Sequence, residues 1–367
     1  MTIKKGYLII LTIAAIALFC SCRKKAPQVP DYYATPVYTS YATPAAENST
    51  DYTAVYFPDP NLQAAVVVWL GKPEGSSITK SDLDSIGYLD ISSKQISSLE
   101  GIDVMENLNV LVARNNSFTD LTPVTKLKKL SGLDLESNNI SDISVLAGAD
   151  MPALVRIWLG NNNITDIPVF SNKPALDALY MQNNKISDIS GLISCTKLVH
   201  LFISNNNVRD ISVVSSMNNL IVCGIDNNRD LSDLSPLSNN RVMLEFYASF
   251  CNISDINVVS NWASLKNLDL GHNKITDITP VMESFNSGAY RAPYWNCYVN
   301  IYGNPLGFKA INCDLPMLKS FGLSINSEHE VIVDMSAQFI SNVEQQQKMQ
   351  AAQYISISGM NVIKISK

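Results

Sequence analysis

A repeat of about 22 residues predicts an α/β solenoid: a curved horseshoe with a parallel β-sheet on its concave face, short helical or 3-10 turns on its convex face, and a helical N-terminal cap. Three observations predict it. Aligned starts fall at Ile86, Leu108, Leu130, Leu154, Leu176, Leu198, Leu220, Met243, Leu265 and, after an insertion, Asn296. Positions 4 and 6 of each copy are apolar and alternate with variable ones. Position 9 is asparagine in most copies.

The alternation gives each repeat a short strand, with positions 4 and 6 inward and positions 3, 5 and 7 outward on the concave face. Position 9 is Asn116, Asn138, Asn162, Asn184, Asn206, Asn228, Asn273 and Asn304. An amide there donates and accepts at once, satisfying turn backbone that an apolar residue would leave unpaired. Cys251 takes the place in the eighth repeat, and Lys94 in the first suggests a ladder end open to solvent. Position 13 is Asp120, Asp142, Asp166, Asp188, Asp210, Asp255 and Asp277, with Asp233 shifted by one. A row of carboxylates raises calcium as a reading. Capping of convex turns explains residues placed just before Ile or Leu more simply, because calcium needs several oxygens converging on one point.

A copy such as LDALYMQNNKISDISGLISC (residues 176–195) follows the leucine-rich-repeat pattern, and its N-(K/N)-I-x-D-I core resembles the internalin-type, 22-residue class of bacterial leucine-rich-repeat proteins. The resemblance covers about residues 55–325. It implies a small helical cap before the repeats, a final repeat running into a helix and a last strand, and a concave face that binds protein ligands. Residues 57–86 fit the cap, with Asp59 as N-cap, Pro60 in the first turn, Gly71 as helix stop and a second start at Thr79 and Asp82. Residues 301–326 fit the final repeat.

The domain order read from the chain is a signal peptide (1–21), a disordered tether (22–54), the helical cap (55–85), about ten repeats (86–308) and a C-terminal cap and tail (309–367). Lys4 and Lys5 precede an apolar run from Tyr7 to Phe19, the layout of a secretory signal. LFCSC (residues 18–22) resembles a bacterial lipobox, which implies lipidation at Cys22, a membrane anchor and a place in the bacterial cell envelope, on the periplasmic side or at the surface. The tether is rich in Pro, Tyr, Thr, Ser and Ala and repeats YATP.

With 46% apolar residues and a formal net charge of −6, the sequence has no phosphate-neutralising basic patch beyond its first 25 residues, which argues against nucleic acid. No nucleophile, base and orienter stand together, no Cys/His spacing suits zinc, and no glycine-rich phosphate loop occurs. The expectation is therefore no enzyme, no metal and no cofactor. Cys195, Cys223 and Cys251 read as small buried residues, whereas Cys297 and Cys313 flank the last repeat, where a disulfide is left open.

Function is then sought on the outward positions. Position 5 reads Asp90, Val112, Asp134, Trp158, Tyr180, Phe202, Gly224, Tyr247, Asp269 and Asn300. Trp158, Tyr180 and Phe202 stand on consecutive strands about 4.8 Å apart. Arg156, His200 and Glu245 at position 3 and Gln182 at position 7 flank them. The bland explanation is cross-strand packing, but valine or threonine would supply that without an aromatic patch. An exposed apolar strip with a polar rim is instead expected to bind a ligand. A protein ligand is the first expectation. A glycan stacked on Trp158 and Tyr180 with bonds from Gln182 and Asn183, or a spacer role with no concave ligand, are the alternatives.

Overall fold

A computed structural model describes residues 53–290, 297–320 and 323–327, all within one compact unit of residues 43–367. The signal, Cys22, most of the tether and the tail from residue 328 lie outside the described residues.

The cap is built from β1 (Ala54–Val55), helix α1 (Pro60–Trp69), β2 (Ile78–Thr79) and helix α2 (Lys80–Asp84), with β1 and β2 paired antiparallel. Asp59 caps α1 by accepting from the backbone N–H of Asn61 and Leu62 (2.9 and 3.0 Å), and Gly71 takes φ +65° just past its end. Thr79 and Asp82 form a capping box at α2. The β1–β2 pair adds to the helical cap expected from sequence, since two-residue strands carry no readable period. Leu62, Val66 and Val67 of α1 join the same buried cluster as Leu83, Ile86 and Leu89.

Eleven strands then form one parallel sheet in unbroken chain order. They are β3 (Tyr88–Asp90), β4 (Val110–Val112), β5 (Gly132–Asp134), β6 (Arg156–Trp158), β7 (Ala178–Tyr180), β8 (His200–Phe202), β9 (Val222–Gly224), β10 (Glu245–Tyr247), β11 (Asn267–Asp269), β12 (Tyr298–Asn300) and β13 (Ser324–Asn326). Position 4, the middle residue of each strand from Leu89 to Val299, is fully buried or nearly so. The eleventh strand exceeds the ten counted repeats and is the last strand that the family resemblance implied.

The convex side carries 3-10 turns in most repeats, helix α3 (Ser144–Gly148) in one, and helix α4 (Thr279–Ser287) in the repeat before the insertion. After β12 come a π-helical turn (Ala310–Asp314) and helix α5 (Leu315–Ser320), which precede β13. The aspartates at position 13 do cap. Asp120, Asp142, Asp188, Asp210, Asp233, Asp255 and Asp277 each accept the backbone N–H two residues on, at 2.7–2.9 Å. Asp166 departs for a chemical reason. Two residues on stands Pro168, which has no N–H, and this repeat forms no helical turn but a parallel bridge between Asp166 and Asp188.

Between strand and convex turn runs the asparagine ladder. Asn206 donates to the carbonyls of Met181, Ile203 and Ser204 (3.0, 3.0 and 3.3 Å) and accepts the N–H of Ile186 at 2.9 Å, so one amide ties two repeats together. Asn162, Asn184, Asn228, Asn273 and Asn304 repeat the arrangement. Cys251 makes only long contacts from its sulfur to the carbonyls of Ile225 and Ser249 (3.5 and 3.6 Å), and the preceding turn closes on itself through Leu231 N–H to the Asn228 carbonyl. The first repeat is less open than expected at Lys94. Asn116 accepts the Lys94 N–H, and Asp59 of the cap accepts from the backbone of Ser97 and Ser98.

Cys195 and Cys223 are buried, and burial pushes their thiols up to about 11 and about 12, which keeps them inert. Cys297 is buried and Cys313 is exposed.

Replacing Asn206 by Ala orphans several buried backbone groups at once. We expect it to lower unfolding free energy by about 3 kcal/mol, measured by chemical denaturation; a loss near zero would show that the ladder is dispensable.

Candidate functional site

The outward ring row is present, but not as the open strip the sequence suggested. Backbone register places Trp158 opposite Tyr180, Tyr180 opposite Phe202 and Phe202 opposite Gly224. Ring centroids are 5.3 and 5.2 Å apart and interplanar angles are 6° and 10°. A parallel sheet spaces strands at nearly a ring's stacking distance, so each ring closes its neighbour's face. Trp158 and Phe202 are each only 7% exposed, Tyr180 is half-buried and Tyr247 is buried.

Gly224, read from sequence as a gap in the row, is what lets the row end. Phe202 leans over it, and a Cβ at residue 224 would lie 2.5 Å from the ring. Tyr247 follows on the next strand with its hydroxyl donated to Glu245, and burial together with that carboxylate pushes its pKa well up.

The flanking polar residues divide into accessible and committed. Arg156 is exposed, with Asp177 3.7 Å away, and Glu245 is half-buried, facing Lys266 at 3.9 Å. His200 is half-buried, and burial holds its pKa below the usual imidazole range. Gln182, expected to offer hydrogen bonds to a ligand, is buried; it reaches across Gly160, which has no side chain, to donate to Glu136 at 3.2 Å. Asn183, a partner in the glycan reading, donates to Asn161 at 2.8 Å.

Carboxylates stand at both ends of the ring row. At one end Arg114 pairs with Asp134 (2.5 Å) and Glu136 (3.5 Å). At the other, Asp226 accepts from Ser249 N–H and Ser204 Oγ (2.9 and 3.0 Å), while Asp269 accepts from Ser249 Oγ, Gly271 N–H and Asn300 Nδ2. Burial, reinforced by the nearby Asp269 charge, pushes the Asp226 carboxyl up to about 7 against the pull of its two hydrogen bonds.

One feature of the face escaped the sequence reading. Position 8 takes a left-handed backbone in every repeat, and in five repeats asparagine fills it: Asn115, Asn161, Asn183, Asn205 and Asn227, at φ 52–57°. Asparagine adopts this conformation readily and here also forms a lip of side-chain bonds, such as Asn227 to Asn205 at 2.7 Å. Phe250 (φ 56°) and His272 (φ 54°) occupy the same conformation, which costs a side chain without asparagine's local hydrogen bonding about 1 kcal/mol. The signal that could have revealed them is the paired asparagine of positions 8 and 9, which becomes Phe250-Cys251 and His272-Asn273.

Asp226 generates a pH prediction. Its carboxyl binds a proton more tightly when folded (about 7) than the ordinary value of 3.8, so its contribution to stability is full below pH about 4 and lost as pH rises through about 7. Asp226→Asn keeps the acceptor oxygen without the charge. Its melting temperature should match wild type near pH 4 and exceed it at pH 8; a difference that does not change with pH would contradict the burial of this charge.

Comparisons with known proteins bear on the repeat fold. A leucine rich repeat family model matches residues 128–186, and a model of two such repeats matches residues 174–216. No curated protein matches the chain. The solved structure of internalin C2 from Listeria monocytogenes is 32% identical, with 60% of this chain and 97% of that chain aligned at a TM-score of 0.55. An internalin (inlF) from the same organism is 25% identical over 76% of this chain and 94% of that one, at a TM-score of 0.48. With its 22-residue repeats set in one parallel sheet behind a helical cap, the chain belongs to the internalin family of leucine-rich-repeat proteins.

Proposed function

We propose that the protein is a lipid-anchored, extracytoplasmic binding protein of the bacterial envelope that recognises a protein ligand through the concave sheet, and that it performs no catalysis. The observation that carries this reading is the stacked row of Trp158, Tyr180 and Phe202. Rings held parallel by their strands have little rotamer freedom left to lose, so a partner meeting their edges is bound at low entropic cost. Arg156, His200 and Glu245 rim the row with groups of both polarities and fix the register of a partner, with Tyr247 beyond them.

Closed ring faces favour a protein over a glycan. A sugar stacks on an open aromatic face, and in this row Tyr180 carries a ring on each face while Trp158 and Phe202 are buried. Cys22 supplies the anchor in this reading, and the three basic residues after it, Arg23, Lys24 and Lys25, rest against anionic headgroups.

A photo-reactive amino acid placed at residue 180 in cells expressing the full chain tests both parts. A discrete protease-sensitive adduct is expected from position 180 and not from Ile193, exposed on a convex turn, and it should fractionate with membranes in wild type but not in Cys22→Ala. Adducts confined to residue 193, or protease-resistant adducts at residue 180, would contradict the protein-ligand reading. Continued membrane association of Cys22→Ala would contradict the anchor.

A further inference from the structure

An exposed cluster of stacked rings lies away from the Trp158 row, on the lip at the C-terminal end of the sheet. Phe250, 51% exposed, stacks on His272 at 4.2 Å with an interplanar angle of 13°, and Tyr302, 39% exposed, meets the His272 ring edge-on at 5.3 Å. His272 is itself exposed. Gly303, at φ +74°, leaves the room in which the imidazole lies, since a Cβ there would stand 2.5 Å from it.

The fold does not require these rings. Five other repeats make the same turn with asparagine, keep an unstrained left-handed residue and gain bonds along the lip. Packing does not explain them either, because a residue chosen to fill the core would be buried. Two adjacent rings held out in water where five other repeats use asparagine, with the ring of Tyr302 beside them, are the signature of an interaction surface.

The charges beside the stack say what it receives. Phe250 follows Ser249, which holds Asp226 and Asp269 through its N–H and hydroxyl, and His272 follows Gly271, whose N–H also bonds Asp269. Among the described residues no lysine or arginine pairs with either carboxylate, whereas Asp134 and Glu136 at the far end carry Arg114. Aromatic rings beside the Asp269 carboxylate, with the more deeply buried Asp226 next to it, complement a cation with an apolar stem.

We propose that Phe250, His272 and Tyr302, with Asp226 and Asp269 at their concave margin, dock a basic segment of a protein partner, an arginine side chain lying along the rings with its guanidinium turned to the carboxylates. The surface is distinct from the Trp158 row, so it stands or falls separately from the reading above.

The test titrates the full chain with a short peptide alternating arginine and glycine, and with its glutamate counterpart and a neutral cello-oligosaccharide, at physiological salt. The control is internal to the fold. The double variant Phe250→Asn, His272→Asn installs the residue that five other repeats use, so its melting temperature should equal or exceed that of wild type. The arginine peptide is expected to bind wild type at least about tenfold more tightly than this variant, with amide NMR shifts centred on Phe250, Gly271 and His272, and Asp226→Asn, Asp269→Asn should weaken it as well. Equal affinity for wild type and the asparagine variant, no binding of the arginine peptide, or tighter binding of the oligosaccharide at the stack would each overturn the proposal.

Discussion

Everything in this solenoid hangs on the side-chain amide at position 9. A parallel strand of three residues has too few ladder bonds to hold itself, and the turn that leaves it would bury carbonyls and N–H groups with no partner. One asparagine per repeat satisfies carbonyls of its own turn and of the preceding strand, and it accepts an N–H from the repeat before. Those bonds fix the offset between repeats, and the offset fixes the register in which position 5 always faces position 5. The ring row is a consequence: Trp158, Tyr180 and Phe202 stack because the ladder brings their strands into line.

The same constraint shapes the ends and the exceptions. Where the ladder begins, Asp59 of the cap takes over the duty of binding exposed backbone N–H groups, and it does so while capping its own helix. Where Cys251 interrupts the ladder, the turn before it closes on itself. Where Pro168 removes the N–H that Asp166 would cap, the convex helical turn is lost and an extended bridge replaces it. Each departure follows from one missing donor or acceptor.

The period and alternation made strand positions and the buried face legible in the sequence, and the asparagines and aspartates declared their bonds by residue type and place. The exposure of the site was not legible. Whether a ring such as Phe202 is open or covered depends on which way it leans, and it leans over Gly224, a residue that reads as a break in the row when only letters are compared. Gln182 was hidden in the same way, since its reach to Glu136 depends on the empty place at Gly160. The lip at Phe250 and His272 escaped because the pattern of apolar positions carries no record of φ, and only the asparagine it displaces betrays the left-handed turn.

Native-state hydrogen exchange of the amides that the ladder accepts tests this dependence most directly. The N–H groups of Ile140, Ile164, Ile186, Val208, Ile253 and Ile275 bond to asparagine oxygens and to no other strand. If those bonds hold the repeats in register, these amides exchange only through cooperative opening of neighbouring repeats and are protected as strongly as the amides of the sheet. Exchange at the rate of fraying loops, with the sheet still protected, would contradict it.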